Sequence, residues 1–190
     1  MTTTKVLTVD HSPAATKFLP GQVSKEITEE CRTFLEYEAM LMDDYFLLWD
    51  WFNLLTDDYT YEIPVRVARE RHSGHPLYPP GSFHQRDDKF FTLKRIERLE
   101  TEKAWAEESP SRVRRLVSGV IVMPGEDENH YRVRSAFILY RGVDRVDGDI
   151  LCGQRHDILR REPDGSLKLA KRVVYLDHTV LPTRNLGLFL

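Results

Sequence analysis

Apolar residues recur at helical spacing in the first half of this chain and at alternate positions in the second. The two patterns need different backbones, so the switch divides the fold into helices followed by a sheet. Ser24 offers an N-cap, and Glu26 suits the positive end of a helix dipole. Ile27, Cys31, Phe34, Leu35, Glu38 and Met42 then follow on one helical face. Asp43 and Asp44 interrupt the pattern. Tyr45, Leu48, Trp49, Phe52 and Leu55 resume it as a second helix, which Asp57 and Asp58 end. Tyr59 to Val67 alternates like a strand, with Pro64 at an edge or bulge. Glu70 to Asp87 is rich in His, Pro, Gly and Ser and reads as a long loop. Asp87 or Asp88 caps a third helix with Phe91, Leu93, Ile96 and Leu99 as its stripe.

Four alternating runs complete the chain: Arg112–Met123, His130–Arg141, Asp149–Glu162 and Leu167–Val180. Pro124–Gly125, Asp147–Gly148 and Pro163–Asp164–Gly165 separate them, and connections this short make neighbouring strands antiparallel. Helices first and an antiparallel sheet second is an α+β order. Residues 23–190 are expected to form one domain. Residues 1–22 form an extended arm, ordered only where it docks, with Phe18 and Leu19 available for docking.

The strands carry apolar residues on both faces. In the run at 131–141, Tyr131, Val133, Ser135, Phe137 and Leu139 share one side; Arg132, Arg134, Ala136, Ile138 and Tyr140 share the other. The second side is basic at one end and apolar at the other. Three helices cover one face, and a partner chain is the simplest cover for the other. Arg155, Asp157, Arg172 and Asp177 place charge within the strands. They fit either cross-strand ion pairs on a wet surface or an interface lattice of Arg forks and carboxylates.

Composition excludes several chemistries. Twenty-seven Lys and Arg against 30 Asp and Glu leave no cationic footprint for nucleic acid. Two cysteines, Cys31 and Cys152, cannot hold a four-Cys cluster, and neither begins the Cys-x-His pattern of a Rieske centre. No signal peptide or long apolar span appears, so the expected location is cytoplasmic, away from membranes. His72, His75 and His84 form the one local histidine cluster, in a loop interrupted by Pro76, and read as surface rather than metal ligands. The carboxylate pairs Asp43–Asp44 and Asp57–Asp58 read as helix-end residues. Trp49, Trp51 and Trp105 read as core or interface anchors.

Six motifs in order carry a resemblance. Glu38–Ala39–Met40–Leu41–Met42–Asp43–Asp44, with Trp49, precedes Leu54–Leu55–Thr56–Asp57–Asp58–Tyr59 and Ile63–Pro64–Val65–Arg66. Arg98–Leu99–Glu100–Thr101 leads to Ala104–Trp105–Ala106–Glu107–Glu108–Ser109–Pro110–Ser111–Arg112. Gly153–Gln154–Arg155–His156–Asp157–Ile158–Leu159–Arg160–Arg161, then Ala170–Lys171–Arg172 through Leu176–Asp177, and Asn185–Leu186 near Phe189 complete the set. Together they resemble the small (beta) subunit of aromatic-ring-hydroxylating dioxygenases. Gly119 stands where that family often has Asn, and His178 where Gln is common.

The resemblance implies an NTF2-like cone, with three helices packed in a curved, mostly antiparallel sheet. It implies a non-catalytic subunit that holds an α3β3 hexamer together through the large (alpha) subunit and sister beta subunits. The alpha subunit would hold a Rieske [2Fe-2S] cluster and a mononuclear Fe(II); this chain would hold no cofactor. Electrons would come from NADH through a reductase and a ferredoxin, and the product would be a cis-dihydrodiol. The loop with Tyr78–Pro79–Pro80–Gly81 looks most like the biphenyl, toluene and cumene branch. Candidate subunit-interface residues are Trp105, Arg112, Arg132, Arg134, Arg155, Asp157, Arg160, Arg172 and Asp177. The alternative is a stand-alone cavity enzyme of isomerase or dehydratase type, with Tyr45, Tyr59 and Asp58 as first suspects. Phe34, Trp49, Phe52 and Phe91 argue against it, as bulky fillers of the cone. A dimeric binding module of the same fold is a third reading.

Overall fold

In the computed structural model, helix α1 (Lys25–Asp43) starts where Ser24 stands, its Oγ accepting from the Ile27 N–H at 3.3 Å. The structure describes residues 17–44, 47–70, 74–99, 112–142, 148–183 and 186–190. Cys31, Phe34, Leu35, Glu38, Leu41 and Met42 make the buried face of α1. Helix α2 (Leu48–Asn53) is a short second piece, and strand β1 (Leu55–Pro64) follows at once. Strand β2 (Phe83–Asp88) leads into helix α3 (Lys89–Leu99), capped by Asp88, whose Oδ1 accepts from the Phe91 N–H at 2.8 Å. Four strands remain: β3 (Arg112–Pro124), β4 (His130–Gly142), β5 (Asp149–Arg161) and β6 (Leu167–Leu176).

The six strands form one unclosed sheet in the order β2-β1-β6-β5-β4-β3. Every pairing is antiparallel except β1 with β6. The helices lie on the inner face, where Val133, Phe137, Leu139, Leu151, Leu159 and Val174 join one core. Two glycines have positional reasons. Gly119 has φ +61°, inside the register break between Ser118 and Ile121; of side-chain residues, Asn tolerates that conformation best. Gly153 lets β6 approach closely, since a Cβ there would lie 2.2 Å from the Tyr175 oxygen.

Several sequence expectations need correction. The second helix does not run to Leu55, and Asp57 and Asp58 do not end it. Both lie in β1, paired with Lys89 and Arg160. The long loop contains β2, whose polar side chains hide a strand that pairs on one side only. Phe91 (57% exposed) and Trp49 do not fill the cone. Asp43 does more than end α1: it is buried against Arg115 of β3, accepting from Nε at 2.9 Å and from the main-chain N–H at 2.6 Å.

The outer face is covered in part by the chain itself. Phe18 of the arm stacks on His156, with ring centroids 4.9 Å apart, and the Leu19 N–H meets Met123 Sδ at 3.1 Å. From the other side, Tyr78 donates to the Leu176 carbonyl at 2.9 Å and packs on Tyr175.

Candidate functional site

In the cone, four ionised side chains meet from three elements. Arg172 of β6 and Asp157 of β5 are direct cross-strand neighbours on the inner face, and Glu38 of α1 comes down on them. Arg172 donates to Asp157 from Nε at 2.9 Å and from Nη2 at 2.8 Å. It donates to Glu38 from Nη1 at 2.6 Å and from Nη2 at 2.8 Å. Its remaining N–H goes to the Leu190 main-chain oxygen at 3.3 Å. Trp51 of α2 donates to Glu38 at 2.9 Å. Arg155 completes the set, 3.7 Å from Glu38, with Nε donating to Ser135 at 3.3 Å. All four charged residues are buried, and two positive charges balance two negative ones.

Burial works against each of these charges, and the partners decide the outcome. Burial alone would raise the Glu38 carboxyl, but Arg172 and Arg155 outweigh it and hold it at about 2. Arg172 is driven further up than an ordinary guanidinium, its two carboxylates overcoming burial. Arg155 falls to about 10, because burial and the neighbouring Arg172 charge oppose its weaker pairing. Such a neutral, ionised lattice fixes the angle between α1 and the sheet; it offers no group poised to exchange a proton near neutrality.

The cone is filled. Phe189 packs on Trp51 at 4.4 Å, and Leu188 and Leu190 are buried with it. The space beside this tail, lined by Met42, Leu48, Val113 and Arg115, measures about 10 Å³. The two described suspects for a cavity enzyme lie apart: Tyr59 is buried, its hydroxyl pushed well up by burial, whereas Asp58 is exposed and bonded to Arg160. Tyr45 lies outside the described residues.

The nine candidate interface residues separate. Arg155, Asp157 and Arg172 are interior, so the interface expectation gives way to an intrachain lattice; a side chain without exposed surface cannot meet another chain. Arg132, Arg134 and Arg160 are half-buried on the outer face, bonded to the Pro124 carbonyl, Gln154, and Asp58 with Glu162. Arg112 and Asp177 are exposed, and Trp105 lies outside the described residues. The apolar end of the outer face, expected to need a partner, consists of four residues that were not among the nine candidates: Leu116, Ile138, Tyr140 and Ile150. Leu116 pairs with Ile138, and Tyr140 with Ile150, making an apolar strip across β3, β4 and β5. Leu116 is 64% and Ile150 54% exposed. The alternation of these strands contained that signal. On the helical side, Glu26, Glu29, Glu30, Phe34 and Tyr37 line a broad groove of about 920 Å³ along α1.

Cys31 faces the core from α1, its thiol raised to about 12 by burial, whereas Cys152 lies on the outer side of β5 beside His178. The sheet stands between them. Among the described residues, no three His, Cys, Asp or Glu gather into a ligand group. His84 is half-buried, and His72 lies outside the described residues. Among the described residues, no helix is long and apolar enough to cross a membrane.

Comparison with known proteins agrees with this anatomy. A family model described as the ring hydroxylating beta subunit matches residues 37–183. The chain is 36% identical over 168 residues to a 3-phenylpropionate/cinnamic acid dioxygenase subunit beta of Photorhabdus laumondii, spanning 87% of this chain and 93% of that one. It is 32% identical over 177 residues to a biphenyl 2,3-dioxygenase subunit beta of Rhodococcus jostii, spanning 90% and 92%. A naphthalene 1,2-dioxygenase chain superposes with a TM-score of 0.79 at 23% identity, covering 91% of this chain and 90% of that one.

Proposed function

Because this chain belongs to the ring-hydroxylating beta-subunit family, and so is a component of a multisubunit dioxygenase with an alpha-subunit partner, we propose that its own part is structural. It holds the oxygenase together and performs no chemistry. The observation that carries this reading is the contrast between its two faces. The cone is packed shut around a neutral ion lattice, while the outer face leaves an in-register apolar strip uncovered. A strip of this kind, bordered by Arg134 and Arg112, has the apolar centre and Arg-rich rim of a subunit interface.

The stoichiometry we propose is α3β3. A ring of three copies is closed by heterologous contacts, each copy presenting two different surfaces. The basic-rimmed strip and the groove along α1 are two such surfaces. Arg112, Arg132, Arg134, Arg160 and Asp177 are assigned to subunit contacts. The Rieske cluster and mononuclear iron are assigned to the alpha subunit, as membership of the beta-subunit family implies. Ferredoxin and reductase would deliver electrons to that subunit, in the cytoplasm. The substrate is an aromatic ring of the size the relatives' names indicate, biphenyl or a phenylpropanoid, converted to a cis-dihydrodiol.

The test is isolation of the tagged chain from its native cells. An iron–sulfur protein should co-elute in equimolar amount, at a mass fitting six chains. Leu116→Asp with Ile150→Asp should reduce that co-elution at least about tenfold while the thermal transition of the isolated chain stays in place. Isolation as a lone monomer beside an active alpha subunit would sink the reading.

A further inference from the structure

Leu186–Leu190 lies outside every helix and strand, yet it is held in the cone by side chains from four elements. Arg95 of α3 donates through Nη2 to the Leu186 and Leu188 oxygens at 3.0 and 3.2 Å. Its guanidinium carbon also stands 4.1 Å from the centre of the Phe189 ring. Trp51 of α2 meets the same ring at 4.4 Å, and Tyr61 of β1 approaches it edge-on at 6.4 Å. The Leu190 N–H donates to the Tyr61 hydroxyl at 3.1 Å, and its oxygen accepts from Arg172.

Three of the four walls are fixed by partners other than the tail. Asp87 holds Arg95 at 3.1 Å, Glu38 and Asp157 hold Arg172, and Glu38 holds Trp51. A slot whose walls keep their own partners is preorganised, which is what distinguishes a binding site from a core that forms only by mutual collapse. It offers an aromatic face, a cation over the ring and donors for main-chain-like oxygens.

We infer that the interior of this cone is a binding site for a phenyl-sized aromatic ring flanked by hydrogen-bond acceptors, and that Phe189 with its neighbouring main chain occupies it as a built-in ligand. Phe189 is not simply one more core side chain. Its ring is read through its π face by Arg95 and Trp51, so a saturated group of the same volume is a poorer occupant.

The experiment uses full-length Phe189→Ala and two probes of similar size, toluene and methylcyclohexane. Removing a buried phenyl group should lower the melting temperature by roughly 10 °C. Toluene at about ten times its Kd should restore about 3–5 °C, methylcyclohexane less than half of that, and the wild-type chain should respond to neither. Should Phe189→Ala not fold unaided, its refolding yield from urea with and without toluene is the readout, and toluene should raise it. Phe189→Leu, with less space to fill, should bind toluene more weakly. Equal stabilisation by both probes would reduce the slot to an apolar void and overturn the inference. So would equal toluene shifts in wild type and Phe189→Ala, or no effect of toluene on the variant's melting or refolding.

Discussion

Arg172 uses all five of its N–H groups on buried acceptors, and this explains how a charge survives in the middle of a core strand. Acid should test the chain at three other residues, in two stages. Burial, opposed by Asp157 and aided by Arg134, holds His156 at about 4, below its ordinary 6.5. Between those values the unfolded chain binds a proton that the folded chain refuses. Stability is therefore full above pH 6.5 and falls as pH drops toward 4. His84, also pushed down by burial, adds in the same sense. Glu38 has its shift elsewhere: its contribution is complete above about 4.5 and is lost only as pH falls toward 2. The urea midpoint should drop between pH 7.5 and 5.5, and His156→Phe, which keeps the ring stack with Phe18 and Tyr175, should drop less. An unchanged drop in the variant would show that His156 titrates normally in the fold. The sequence signal for the inner lattice was Glu38, a carboxylate on an otherwise apolar helical stripe. Arg155 and Asp157 also alternate in phase with Leu151 and Leu159, and so had to point inward. Charge alone made them look like surface residues, because an ion pair's partner from a distant helix leaves no trace in local pattern.

At the scale of elements, the strands that are buried on one face and long were legible from their period; those whose neighbours supply the reason were not. Strands β3 to β6 begin where alternation begins, and α1 and α3 begin at their capping residues. The α2–β1 boundary was hidden because Asp57 and Asp58, which resemble a helix stop, are tolerated on exposed positions of a strand by Lys89 and Arg160. Edge strand β2 carries almost no apolar alternation, since its stability comes from the backbone ladder to β1. The other edge has a side-chain tie: Asp43 at the end of α1 binds both the main chain and the guanidinium of Arg115. Replacing Asp43 with Ala leaves a buried guanidinium unpaired and should cost roughly 3–5 kcal/mol. Amide hydrogen exchange should show β3 losing protection before β5 and β6. Uniform loss across the sheet would mean that the tie serves the whole core rather than that edge.

For the whole molecule, the sheet divides the work between its faces. Among the described residues, the main core lies on the inner side, and Phe18 and Tyr78 pack on the outer side at His156 and Tyr175. What remains open is an apolar strip on β3, β4 and β5. That division explains why function was legible through family motifs but not through residue chemistry. Interface residues need only be apolar and exposed, a property that single side chains do not announce. It also leads to a separation of effects. Without its partner, the chain should self-associate as concentration rises, through the strip proposed as the subunit interface. Leu116→Thr with Ile138→Thr should shift sedimentation toward monomer while moving the melting temperature by no more than about 2 °C. Arg172→Met should do the reverse. It leaves Glu38 and Asp157 buried with one cation fewer and lowers the melting temperature by roughly 10 °C, yet in the folded range it leaves the association constant unchanged. If the strip variant instead loses stability and still associates, the open face belongs to the core, and the interface must be sought along α1.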